Sequence, residues 1–179
     1  RAVAYGKDIE YSLIEITSVS ENSLAKIGDK IIIAKELVEE VMKEISVLSF
    51  NSNKTLKGSD FEGTVLAHPL NKNGYEHEVL LLEADFVTTD QGTGFVHIAP
   101  GHGADDFELG RKNNLPIPET VSDNGILSSD LPLLGGLRVL KDNEIIADIM
   151  AEHNALIGRG KLNHSYPQSW RSKAPLVFR

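Results

Sequence analysis

Between Gly92 and Phe107 the chain runs Gly92-Thr93-Gly94-Phe95-Val96-His97-Ile98-Ala99-Pro100-Gly101-His102-Gly103-Ala104-Asp105-Asp106-Phe107. These sixteen residues contain the groups of a small polar site. His97 and His102 titrate near neutral pH and can donate, accept or ligate a metal. Asp105 and Asp106 can hold a cation such as an ammonium through a charge-assisted hydrogen bond. The same pair could instead only favour the positive end of a helix. The glycines let backbone approach a ligand or take positive φ.

The elements that must position these groups follow from the local pattern. Phe95 to Ile98 reads as a strand, Pro100-Gly101 as a turn, and a helix opens near Ala104. His97 then stands at a strand end and Asp106 in the first helical turn, both over one loop. Rigid elements flanking a loop suit a binding site. The expected division is that Asp105 caps the helix while Asp106 binds. His102, between two glycines, is either a ligand-facing group on a loop crest or a solvent-facing spacer. Thr93 and Gly94 either offer a hydroxyl and backbone donors or only bound a tight turn. His68, His77 and His153 have no partners at informative spacing and read as structural or surface residues.

Around this centre the chain reads as strands with a few helices. Tyr11 to Thr17 alternates as a strand, with Ser12, Ile14 and Ile16 on one face and Tyr11, Leu13 and Glu15 on the other. Gly28-Asp29 turns into a strand from Lys30 to Ile33. Leu37, Val38, Val41, Met42 and Ile45 form the stripe of a helix over Lys35 to Ile45. Strands are expected from Glu62 to Ala67 and from Glu78 to Val87, and a turn at Asp123-Asn124-Gly125. Asp142 or Asn143 would cap a helix striped by Ile145, Ile146, Ile149 and Met150, ending near Gly158. The elements do not alternate as βαβ units, so the fold class is a β-rich α+β domain.

The run from Gly92-Thr93-Gly94 through Val96-His97 and Ala99-Pro100-Gly101-His102-Gly103 to Asp105-Asp106-Phe107 closely resembles the editing domain of isoleucyl-tRNA synthetases, within class I. Valyl and leucyl members share the Gly-Thr-Gly and the final aspartate, so His97 and Gly101-His102-Gly103 carry the isoleucyl likeness. His164-Ser165-Tyr166-Pro167 and Trp170-Arg171 with Lys173 and Pro175 resemble the strand that returns from the editing domain to the catalytic domain. Arg1-Ala2-Val3-Ala4 resembles the segment just after the family's threonine-rich peptide. The resemblance spans nearly the whole chain. It implies one editing domain over residues 1–179, part of a larger synthetase, with a barrel-like β-sheet core and peripheral helices.

The resemblance also implies roles. Asp106 would hold the α-ammonium of a misplaced amino acid and His97 would bound its side-chain pocket. Thr93, Gly94 and His102 would contact substrate, the first two at the terminal adenosine. Tyr166 would line the pocket or serve as a core tyrosine. The implied reaction is hydrolysis of valyl-tRNA(Ile), with valyl-adenylate as a second substrate. The implied partners are the charged tRNA(Ile) 3′ end and the parent's catalytic domain, with the protein a cytoplasmic monomer. No cofactor is expected in this domain; ATP and Mg belong to the parent. Ile98 stands where the family has threonine. Pro167-Gln168-Ser169-Trp170 lacks a cysteine found in some members, so no zinc is expected there. Two rival readings are a metal-dependent hydrolase using His97, His102 and Asp106, and a non-catalytic tRNA-docking module.

Composition fits these readings. At 179 residues, 41% hydrophobic and 25% charged, the chain suits one globular domain. It has no cysteine, which excludes disulfides and thiolate metal sites and agrees with a reducing compartment. No apolar run is long enough for a membrane helix. Net charge is −8, against a general polyanion binder. Residues 159–179, however, carry Arg159, Lys161, Arg171, Lys173 and Arg179 with no acid, leaving 13 basic against 26 acidic residues elsewhere. Such a tail is either a solvated strand or a contact surface, read here as a basic segment returning toward the catalytic domain.

Overall fold

Seven strands and three α-helices are described within residues 1–161, 167–171, 173, 175 and 176 of the computed structural model. In chain order they are β1 (Ala2–Tyr5), β2 (Glu10–Val19), β3 (Lys30–Ala34), α1 (Val38–Glu44), β4 (Val47–Lys57), β5 (Val65–Ala67), β6 (Glu78–Glu83), β7 (Phe95–Ile98), α2 (Ala104–Lys112) and α3 (Asn143–Glu152). One sheet has the order β5-β6-β1-β7, parallel only between β1 and β6. The other is antiparallel, β3-β2-β4. The β-rich α+β class is as expected. Hydrogen bonding among the described residues gives two open sheets, however, with no closed barrel.

Tyr11 joins the sheets. Its hydroxyl donates to Gly94 O at 2.8 Å and accepts from Gly6 N–H at 3.1 Å, so both polar functions of a fully buried ring are satisfied. Phe61 and Phe95 lie 5.0 and 4.6 Å from its ring centre. This corrects the alternation expected for β2: Tyr11 and Ser12 are both buried, because the first sheet covers the side that Leu13 and Glu15 leave partly open. Gly94 fits beneath this contact only as glycine. Its φ is +79°, and an added Cβ would stand 2.3 Å from Ala34 Cβ.

The first sheet buries both faces. Val3, Tyr5, Leu66, Leu81 and Phe95 face the core shared with the second sheet and α1. Ala2, Ala4, Leu80, Leu82, Val96 and Ile98 face a second cluster with Leu109 of α2, Leu115 and Val87. Ile98 is 0% exposed, so the residue that departs from the family pattern packs wholly inward.

Several boundaries differ from the sequence reading, each for a local reason. β5 begins at Val65 because a 3-10 turn covers Gly58–Phe61 and Gly63 takes φ +74°. β6 stops at Glu83, where Ala84 N–H turns to Tyr5 O. α1 is preceded by a 3-10 turn at Lys35–Leu37. α3 ends at Glu152, followed by Asn154 at φ +55°. Asp142 occupies the N-cap position of α3, as expected, but its carboxylate makes no capping hydrogen bond and clasps the Arg138 guanidinium and backbone N–H instead. Among the described residues, no helix is long and apolar enough to cross a membrane.

Candidate functional site

Strand register gathers the site at one end of the first sheet. β1 pairs with β7 so that Val3 lies beside His97 and Tyr5 beside Phe95, which puts His97 on the face that leads into the main core. Beyond β7, Ala99 O accepts from His102 N–H at 2.8 Å, closing a turn through Pro100 and Gly101. Proline at the second turn position pre-sets the φ this needs. α2 then starts, and its first turn folds back over the loop.

Asp106 closes that arrangement. Its Oδ2 accepts from Ala99 N–H at 2.8 Å, tying the first turn of α2 to the end of β7. Among the described residues its Oδ1 takes no hydrogen bond, and the side chain is half-buried. The expected division between the two aspartates changes in one respect. Gly103, not Asp105, occupies the cap position of α2, with extended backbone and no side-chain cap. Asp105 is exposed. The register of α2 comes from packing: Gly110 lies against Pro100, where an added Cβ would stand 2.7 Å from the Pro100 Cγ.

His97 remains open to solvent on one side. The dense protein around the rest of the ring pushes its pKa below the ordinary 6.5, and Asp106 opposes this. His97 is therefore neutral at physiological pH. His102 is exposed on the loop, and a cleft of about 290 Å³ opens beside it against Ile117, Pro118 and Thr120. Thr93 is exposed, while its carbonyl accepts from Ala34 N–H at 2.9 Å. Gly94 is buried, roughly 10 Å along β7 from His97 at 3.3–3.4 Å per residue. The structure thus brings His97 and Asp106 together and places Thr93 and Gly94 at the opposite end of the strand. Tyr166 lies outside the described residues.

Two histidines read from sequence as isolated belong to the same sheet end. His68 follows β5 and His77 precedes β6, one step beyond the pair Ala67–Glu78. Their ring centres are 5.2 Å apart, and Tyr75 stacks on His68 at 4.7 Å and 14°. Burial is the first cause that lowers both pKa values, and the charge of His77 adds to it for His68. Eight residues lie between His68 and His77 in the chain, and only cross-strand register makes them neighbours. Among the described residues no group of three or more His, Asp or Glu side chains is arranged to hold a metal.

The basic segment is partly neutralised where it leaves the body. Arg159 reaches Asp148 at 2.7 Å and Glu144 at 4.0 Å, both on α3. Further on, Gln168 bridges Pro175, and Arg171 lies 4.8 Å over the ring of an exposed Trp170. A larger open cleft of about 670 Å³ lies between the end of β6 and α2. Glu83, Asp85, Asp105 and Glu108 line it together with Arg111 and Lys112, whereas His97 and Asp106 do not.

Known proteins match over this whole region. The family described as "Leucyl-tRNA synthetase, editing domain" matches residues 17–132. The isoleucine–tRNA ligase of Gluconobacter oxydans is 43% identical over 190 residues, covering 100% of this chain and 20% of that protein. That of Pelagibacter ubique is 42% identical over 179 residues, covering 100% and 19%. The chain thus spans about a fifth of the length of these curated relatives. The crystal structure of GlLeuRS-CP1 superposes with a TM-score of 0.63 at 13% identity, covering 89% of this chain and 78% of that one, a likeness of fold.

Proposed function

The chain belongs to the editing-domain family of the aminoacyl-tRNA synthetases, and from that premise we propose that it removes valine from tRNA(Ile) by hydrolysis. The relatives that match its full length are isoleucine–tRNA ligases. An isoleucine enzyme needs such a step because one methylene in a hydrophobic pocket is worth only about 1–3 kcal/mol, a limit usually illustrated with isoleucine against valine themselves. A second site that admits the smaller side chain and rejects the larger multiplies the selectivity.

The observation that carries the reading is the half-buried Asp106 carboxylate, fixed through one oxygen and, among the described residues, open at the other, beside His97. In the proposed mechanism Asp106 Oδ1 accepts from the α-ammonium of the esterified valine. Because His97 is neutral, it does not repel that ammonium. Its ring closes the side-chain pocket, so isoleucine would overpack by one methylene, a cost of about 1–3 kcal/mol. A water oxygen bonds to the ester carbonyl carbon, the bond to the ribose oxygen breaks, and that oxygen takes the proton as valine leaves. The vicinal ribose hydroxyl positions the water. Thr93 and His102 contact the nucleoside from the loops, and Gly94 shapes the turn. Valyl-adenylate is a second substrate of the same pocket, and ATP- and Mg-dependent charging belongs to the remainder of the synthetase in the cytoplasm.

Deacylation of valyl-tRNA(Ile) and isoleucyl-tRNA(Ile) by this chain tests the proposal. Faster loss of valine than of isoleucine is expected. Equal rates for the two esters would remove the size-selective pocket, and specific tRNA retention with no hydrolysis would favour a docking role.

A further inference from the structure

We propose that His68, Tyr75 and His77 form a stacking platform for a nucleobase of the single-stranded RNA 3′ end whose ester lies at His97 and Asp106. The inference rests on the proposed deacylation for the identity of its ligand, and on separate residues for its geometry. The three rings form one group: Tyr75 lies 4.7 Å from His68, nearly parallel at 14°, and His77 is 5.2 Å from His68 and 6.4 Å from Tyr75. All three are half-buried, so the group presents aromatic surface to solvent.

The platform is held from both sides. Leu70 N–H donates to His68 Nδ1 at 3.1 Å, which fixes the neutral ring as the Nε2–H tautomer. Tyr75 donates its hydroxyl to Pro132 O at 2.8 Å. Gly74, at φ +93°, lets the loop lie against the Pro132 ring, where an added Cβ would stand 2.4 Å from Cγ. Rings so fixed lose little entropy when a ligand stacks on them.

Position gives the occupant. His77 and His68 stand at the ends of β6 and β5, two and three strands from His97 in the order β5-β6-β1-β7. At 4.7–4.9 Å per strand that is roughly 10 to 14 Å across the sheet, and Leu81, the β6 residue level with His97, lies four residues from His77, roughly 13 Å along the strand at 3.3 Å per residue. An ester at His97 is attached to a nucleoside, so RNA must leave the site, and unstacked bases at RNA ends are recognised on Tyr and His rings. Lowered pKa values keep both imidazoles neutral, and neutral rings stack without drawing phosphate. The acidic body of the chain likewise favours contact through bases over contact through the backbone.

The test uses uncharged RNA, so it does not depend on hydrolysis. Two single-stranded oligonucleotides ending in CCA carry 2-aminopurine at the terminal or the preceding position, and stacking quenches its fluorescence. The intact chain is expected to quench at one of these positions. His68→Ala and Tyr75→Ala are expected to weaken binding tenfold or more and to abolish the quench. Tyr75→Phe, which keeps the ring and loses the bond to Pro132, retains the quench, as does the remote control His153→Ala. Melting curves of each variant separate loss of stacking from loss of folding. Quenching that survives His68→Ala and Tyr75→Ala, or no quenching at either position, overturns the platform. A His68-dependent quench in a chain that leaves valyl-tRNA(Ile) intact would support the platform while refuting the deacylation.

Discussion

Asp106→Asn separates the hydrogen bond this side chain accepts from Ala99 from the ammonium contact proposed for it. The asparagine amide oxygen can still accept from Ala99 N–H, now bonded at 2.8 Å, so the turn from Ala99 to Gly103 stays closed. The negative charge offered to the substrate ammonium is lost. A hydrogen bond to a charged group contributes about 1.5–3 kcal/mol, and about 1.4 kcal/mol is tenfold in rate or affinity. Deacylation of valyl-tRNA(Ile) should therefore fall roughly 10- to 150-fold in kcat/KM, while the melting temperature stays close to that of the parent chain. Asp106→Ala should lose as much activity and also some stability, because Ala99 N–H loses its acceptor. The decisive comparison uses N-acetyl-valyl-tRNA(Ile), which has no ammonium. On that substrate the parent chain and Asp106→Asn should be equally slow. A persistent gap on the acetylated ester, or an Asn variant within threefold of the parent on the natural one, would show that Asp106 does not act through the ammonium.

His97→Ala should open the pocket by one ring, so that isoleucyl-tRNA(Ile) becomes a substrate and the valine preference shrinks by about 1–3 kcal/mol; unchanged discrimination in the two-ester assay would move the pocket elsewhere. His68, His77 and His97 all have folded-state pKa values below 6.5, so the unfolded chain binds more protons as pH falls through that value. Their contribution to stability is complete above about pH 6.5 and declines as pH drops toward the lowered values. The urea midpoint should accordingly fall between pH 7 and 5.5, and His→Gln at the three positions should flatten the slope; a midpoint that rises on acidification contradicts this. Gly110→Ala should destabilise by about 1–3 kcal/mol through its clash with Pro100 and slow deacylation by shifting Asp106, whereas a variant with normal melting and normal rates would show that this contact does not set the register of α2.

Much of the fold was legible because its signals are local. β2, β3 and β7, and the start of α2, carry alternation or turn chemistry strong enough to be read within a few residues of their observed positions. β4 was missed: Asn51, Ser52, Asn53 and Lys54 are poor strand formers, and most of this edge strand is exposed, so its pairing with β2 rather than its composition makes it a strand. β1 is four residues long and two of them are alanines, with no hydrophobic contrast to read. It is nonetheless the centre of the first sheet, with β6 on one side and β7 on the other.

The site shows the same division between local and distant information. His97 and Asp106 lie in one continuous motif, so their proximity is a consequence of a strand, a turn and a helix in sequence. The capping role assigned to Asp105 failed because an acidic pair before a helix does not say which member turns inward. Asp106 does so because Ala99 N–H faces the third residue of α2 across the Pro100 turn. His68 and His77 carried no signal at all, since their meeting depends on the pairing of β5 with β6, and their nearness to His97 depends on β1 lying between β6 and β7. A row of neutral rings thus extends the acidic motif sideways along the sheet, across the strands and not along the chain. The residues proposed for the ester chemistry are contiguous in the sequence; the surface that would receive the rest of the RNA is written in strand order.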